Sequence, residues 1–446
     1  MKTFNIIFRD HKDDKFEITE TNNSKCIYIP SGNNKISDKS LQDNISWLIK
    51  EKHLKPSDEV TEFLNAAVSV YTADQLVSRD QHGFQNWSRY LKLYLPVVNL
   101  DKWKHAKEDF QSALNFLTGD HWELFLRRRQ SGPHTPKKSE SDTNISKVSL
   151  LSGGLDSFIG VTDLLASGHD IAVVGHHKSQ GFENMTQTRI INLLTSEFKD
   201  RKIEQFLFNA QPVQLNNKYG KEPSSRSRSI LFIALGITVA NSFGNDIPLY
   251  IPENGLISLN IPLTFSRIGS SSTRTTHPHF LMLLRNVLDN LGIDNKIINP
   301  YQYCTKGEMI RDTKGPDFIK KHFNESVSCA HPNSKNVNVK RKNSTNQKNC
   351  GYCTPCIIRR AALKFADLDD DKYYVYEMNE SQLPHKDDIG RDYRAFKMAI
   401  ARLKKDKPKL SLHVLRSGPL PNKKDDLLKY VGVYERGMKE VEDLIK

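Results

Sequence analysis

"KVSLLSGGLDSFIGVTDLLASG", residues 147–168, runs an apolar, strand-forming segment straight into Ser-Gly-Gly-Leu-Asp-Ser and then into a helical pattern. Two glycines, Gly153 and Gly154, let the backbone turn sharply and approach a ligand closely. The free N–H groups at the start of the next helix, with the positive end of its dipole, then face any anion above the strand. Ser152 and Ser157 add hydroxyl donors, and Leu155 and Asp156 complete the loop. A plain βα turn with an Asp or Ser cap uses some of the same residues. The whole hexapeptide between a buried strand and an amphipathic helix points to phosphate instead. The chain has no G-x-x-x-x-G-K-[ST] and no G-x-G-x-x-G, which excludes the Walker A and dinucleotide loops.

Downstream of this loop strands and helices alternate. "DIAVVG" precedes a helix expected over 184–199, "EQFLFN" one over 226–243, "IPLYI" one over 277–292, and "NKIINP" one over 306–322. Crossovers of this length predict an α/β fold, a doubly wound parallel sheet covered on both faces. Residues 131–146, "SGPHTPKKSESDTNIS", have no apolar period and read as a linker. They separate residues 1–130, expected as an added N-terminal α+β domain of unknown role, from a nucleotide-loop domain over 147–328. A cysteine element follows over 329–365, and 366–446 reads as a helical C-terminal region. Trp47, Trp87, Trp103 and Trp122 all fall in the first part and read as packing residues.

"NCGYCTPCIIRR" spaces Cys350, Cys353 and Cys356 as C-x-x-C-x-x-C, and Cys329 lies just ahead in "ESVSCAH". Four thiolates make a closed tetrahedral zinc site, which anchors structure; an iron–sulfur cluster is the alternative. The N-terminus has too short an apolar run for a secretory signal, and no segment is long enough to span a bilayer. A cytoplasmic location with reduced thiols is therefore expected. The net charge of +13 is concentrated partly in "HPNSKNVNVKRKNSTNQKN" (331–349), with five Lys/Arg and no acid. A solvated loop explains that run. No recognition helix, RNP motif or aromatic–basic interleaving argues for specific nucleic-acid binding.

SGGLDS resembles the SGGxDS signature of the PP-loop ATP pyrophosphatases (a HUP-like fold), and the cysteine element resembles their QueC branch, the 7-cyano-7-deazaguanine synthases. The similarity covers residues 147–365. "SRSRSILFIAL" is similar to the branch's P-G-R-N segment and carries Arg228 across; "CTKGEMI" carries Lys306 and Glu308, and "NCGYCTPCIIR" carries Arg359. The resemblance implies ATP with Mg²⁺, a Zn²⁺ site, and Asp156, Ser157, Arg228 and Lys306 as catalytic residues. Thr305 and Glu308 also form a T-x-x-E capping box, the preferred reading for Glu308. The branch's base-holding D-x-S-G-Y-P-D-C-R stretch is replaced here by "PENGLISLNIPLTFSRIGSSSTRTTHPHF", whose candidate substrate contacts are Glu253, Asn260, Arg267 and Arg274. The added N- and C-terminal parts and this loop resemble the branch found in the Qat anti-phage system. By that resemblance the protein adenylates the carboxylate of a 7-carboxy-7-deazaguanine-type substrate for amide or nitrile formation, with one or more protein partners. The alternatives are transfer of the acyl group to a protein amine, tRNA thiolation with Cys304 as sulfur carrier, and an ATP-binding assembly subunit.

Overall fold

The computed structural model describes residues 2–11, 13–30, 40–129, 144–178, 181–213, 218–220, 222–263, 274–330, 349–378, 390–405, 410–421 and 424–446. Most of the linker, the basic insert and Arg267 lie outside these residues. The strands are β1 (Thr3–Arg9), β2 (Ser24–Pro30), β3 (Leu41–Asp43), β4 (Tyr90–Val97), β5 (His121–Arg128), β6 (Lys147–Leu150), β7 (Ile171–His177), β8 (Ile203–Pro212), β9 (Leu249–Tyr250) and β10 (Ile297–Ile298).

β6 begins the six-stranded sheet's chemistry, and the sheet has the order β10-β9-β6-β7-β8-β3. Every pairing in it is parallel except β3 with β8. All seven residues of β7 are buried, as a strand covered on both faces requires. Helices Leu155–Ala166, Phe182–Glu197, Arg228–Phe243 and Pro278–Leu291 make the crossovers near their expected bounds. The helix expected over 306–322 is two, Lys306–Arg311 and Pro316–His322. Pro316 lacks an N–H and disfavours a helical residue before it, so the chain breaks at 312–315 and restarts with proline in the first turn.

The first part of the chain departs from the α+β expectation. Its sheet, β2-β1-β4-β5, is parallel throughout. The connection over 10–23 is long enough to return the chain for a parallel pairing without a helix. In helix Leu100–Thr118, Asn99 caps the start and Gly119, at φ 72°, ends it, leading the chain into β5. Nor do these residues form a separate core. β3 extends the second sheet, helix Asp58–Leu76 packs on Arg228–Phe243, and Leu100–Thr118 packs on Pro278–Leu291. One apolar cluster runs from Phe4 and Trp103 through Val148 to Leu284. The C-terminal helices Arg391–Lys405, Leu410–Leu415 and Lys424–Ile445 build a second cluster with Ile357, Ile358 and Leu259. Among the described residues no helix is long and apolar enough to cross a membrane.

Candidate functional site

β6 lies between β9 and β7, so its two neighbours leave it in opposite directions of the chain path. The crevice beyond the carboxyl ends of β6 and β9 is the switch point where open parallel sheets bind ligands. Two loops meet there, Leu151–Gly154 and Pro252–Asn254.

Gly153 sits at φ +88°, and a Cβ there would stand 3.1 Å from Thr186 Cγ2. Among the described residues the next amides are held only by serine hydroxyls at the long end of hydrogen-bonding range: Gly154 N donates to Ser152 Oγ and Leu155 N to Ser328 Oγ, both at 3.3 Å. These are donors that a phosphate oxygen would bind more strongly. Ser157 Oγ lies 3.1 Å from Ser152 Oγ and donates to Gly154 O at 2.9 Å. The hexapeptide thus forms one loop at the start of helix Leu155–Ala166.

Beneath it lies a buried charge cluster. Asp156 pairs with Lys306 Nζ at 3.0 Å and accepts from Asn254 Nδ2 at 2.7 Å and Asn254 N at 3.2 Å. Burial pushes the Asp156 carboxyl up, but Lys306 and the hydrogen bonds from Glu253 and Asn254 hold it below the ordinary range. Glu253 goes the other way. Burial, then the charge of Asp156 and the hydrogen bond between them, raise it well above the ordinary 4.5. Two carboxyl groups lie beside one ammonium, which favours the protonated form of Glu253 next to an ionised Asp156.

The remaining expected residues scatter. Arg228 lies one strand over, at the end of β7, donating to His176 Nδ1 at 3.2 Å, His176 O at 3.0 Å and Glu183 Oε1 at 2.9 Å. Arg359 is buried and holds Ser326 Oγ and Phe323 O, each at 2.8 Å, so it braces the chain beside the loop. Glu308 completes its capping box with Thr305. Asn260 is the left-handed cap (φ 47°) of the short helix Gly255–Leu259, a helix inside what reads as a loop. Arg274 donates to Phe116 O at 2.8 Å and stacks on the Phe116 ring, so it ties the chain to the first part of the molecule instead of facing the switch point. Residues not foreseen are Asn254, Ser328, Asn349 and a cavity of about 750 Å³ beside β7 and β8, lined by Asn44, His177, Lys178, Asn184, Asn209 and Gln211. The only sequence signals for these were adjacency: Asn254 follows Glu253, and Ser328 precedes Cys329.

The four cysteines converge. Their Sγ atoms all lie within 4.8 Å of one another. Sulfurs about 2.3 Å from a central zinc sit roughly 3.8 Å apart, and Cys350 Sγ and Cys356 Sγ are 3.7 Å apart. Four sulfurs this close could hold a metal, and the spacing fits a single ion such as zinc. The site also touches the loop's support: Ser328 N donates to Asn349 Oδ1 at 2.9 Å and Val327 N to Gly153 O at 2.8 Å.

No protein-family model matches the chain. Among curated proteins it is similar to the 7-cyano-7-deazaguanine synthases of two Leptospira interrogans strains, serovars copenhageni and Lai. Each is 23% identical over 241 residues, covering 50% of this chain and 88% of the relative. The likeness is distant and supports the QueC-like family, with an ATP-dependent activity of that kind.

Proposed function

We propose that the protein is an ATP-dependent C–N ligase acting on a 7-carboxy-7-deazaguanine-type carboxylate. A carboxylate oxygen of the substrate attacks the α-phosphorus of Mg·ATP, the α–β phosphoanhydride bond breaks, and pyrophosphate leaves. An amine then attacks the acyl carbon, AMP departs, and an amide forms with loss of a proton. With ammonia as the amine, a second ATP would drive dehydration to the nitrile.

The observation that carries this reading is the SGGLDS loop opening a helix directly above the buried Asp156–Lys306 pair at the switch point. Ser152, Gly153, Gly154, Leu155 and Ser157 hold the pyrophosphate; Asp156 orients the loop, and Lys306 offsets charge developing during transfer. The amide-lined cavity has donors and acceptors suited to the edge of a purine base. Arg228, beside that cavity's His177 strand end, meets the triphosphate after exchanging Glu183 for phosphate. The cysteine site holds 329 and 350–356 together under the loop.

A second reading, in which a partner protein's amine captures the acyl group in an anti-phage setting, is favoured by one feature. The first part of the chain forms a second sheet fused to the catalytic core. tRNA thiolation finds less support, because burial and then Glu308 raise the Cys304 thiol and disfavour the thiolate such chemistry needs.

The test is incubation with Mg·ATP and 7-carboxy-7-deazaguanine, with and without ammonium, followed by mass spectrometry of AMP and base. Carboxylate-dependent AMP with an amide or nitrile product is the expected outcome. AMP appearing only with a protein amine favours the second reading. Absence of AMP with ammonium, without it and with a protein amine refutes the ligase and leaves an ATP-binding assembly role.

A further inference from the structure

Helix Lys424–Ile445 grips the residues around Lys306 with two side chains one turn apart. Arg436 donates to Glu308 Oε1 at 2.6 Å and to Tyr303 O at 2.9 Å. Glu440, nearly fully buried, accepts the Thr305 hydroxyl in a short hydrogen bond and the Gly307 amide at 3.4 Å. Those two donors flank Lys306 on either side in the chain. Gly307 is the residue that makes the approach possible: a Cβ there would lie 2.5 Å from Glu440 Oε1 and 2.8 Å from Phe365 Cδ1. Lys306 itself is buried and spans the gap to Asp156.

We propose that Glu440 is a positioning residue that sets the start of the Lys306 helix, and with it the reach of the Lys306 ammonium to the phosphate loop. The proposal rests on the reading that Lys306 serves the ATP reaction. The hydrogen-bond pattern favours an ionised carboxylate, because both bonds to Glu440 come from donors. Thr305 Oγ1 already accepts from Glu308 N at 3.0 Å and is fully buried. With a carboxylate at 440 the hydroxyl donates outward and every group is matched. With a carboxylic acid there, one proton between the two oxygens is left without an acceptor.

Burial, with the nearby charge of Glu308, pushes Glu440 up to about 7, against the bonds from Thr305 and Gly307 and the charge of Arg436. Of the lysines on the helices packed against helix Lys424–Ile445, Lys364 donates to Asp443 O and Lys404 pairs with Glu442. The matched state is therefore gained as pH rises through about 7.

The experiment uses the full chain with Glu440→Gln and Glu440→Ala. It reads kcat and KM for ATP on both sides of neutrality, with amide hydrogen exchange over 303–311. In the unsubstituted protein kcat rises through about pH 7. Glu440→Gln flattens that rise and lowers the alkaline kcat about tenfold, with KM for ATP within about twofold, as a misplaced group in a formed site does. Both variants exchange the Gly307 amide faster. An unchanged pH profile with unchanged exchange overturns the proposal. If even the unsubstituted chain makes no AMP, the ligase reading falls by itself, while exchange at Gly307 still decides whether Glu440 holds this helix.

Discussion

Two clusters of buried charge in this molecule look alike in composition and differ in balance. At the seam between the two sheets, Asp74, Asp120, Arg79 and Arg89 are almost completely buried. Arg79 and Arg89 both pair with Asp74 and with Asp120, at 2.6 to 2.8 Å, and Arg79 also meets Glu222 at 3.2 Å; Arg226, close enough to feel the charges of Asp120 and Asp74, brings the cations to three against three carboxylates. Burial disfavours each charge, yet the partners win: Asp74 is held below and Arg89 above its ordinary range. Asp74 also takes the N–H and hydroxyl of Ser227, the residue capping the helix that carries Arg228. At the switch point, by contrast, Asp156 and Glu253 have one ammonium between them, and the surplus pushes Glu253 up, towards its protonated form. A balanced buried network stabilises one arrangement; an unbalanced one stores a proton and a reason to rearrange when a ligand brings charge.

The contrast is broken most directly at Asp74. Asp74→Ala strips two buried guanidiniums of a partner and leaves the N–H and hydroxyl of Ser227 without the acceptor they use, and is expected to cost about 3–5 kcal/mol. Urea unfolding measures this, and a loss under 1 kcal/mol would show that the seam relaxes. Lys306→Met probes the other cluster. AMP formation is expected to fall by about 10²–10³-fold, with a far smaller change in the urea midpoint. Equal losses in rate and stability would make Lys306 a structural group like Arg89.

Glu253→Gln is the finest test. The folded carboxyl lies well above 4.5, so above that pH the unfolded chain releases a proton that the fold retains. Its contribution to stability is full below 4.5 and is lost as pH rises through the folded value. The glutamine variant, which never ionises, is expected to match the parent within about 1 kcal/mol near pH 4.5 and to gain on it as pH rises. Parallel stability curves would remove the stored proton.

The hexapeptide and the cysteine spacing were legible because each packs its chemistry into a few consecutive residues. The same holds for the capping box at Thr305 and Glu308 and for the alternation of strands and helices after Lys147. Arg274 misled because an arginine in a polar loop reads the same whether it awaits a carboxylate or already holds the Phe116 carbonyl. The contact of Asp74 with Ser227 and the hold of Glu440 on Thr305 carried no signal, since each joins residues more than 130 apart in the chain.

From sequence alone came the loop, the sulfur ligands and the parallel αβ order, because local backbone geometry and ligand spacing are short-range properties. Tertiary structure decided the rest. It joined the described residues of the first part of the chain to the core of the six-stranded sheet, placed Glu253 beside Asp156, and laid the last helix against the residues flanking Lys306. Burial and charge pairing are set by which distant segments exclude water from one another, and no local pattern records that.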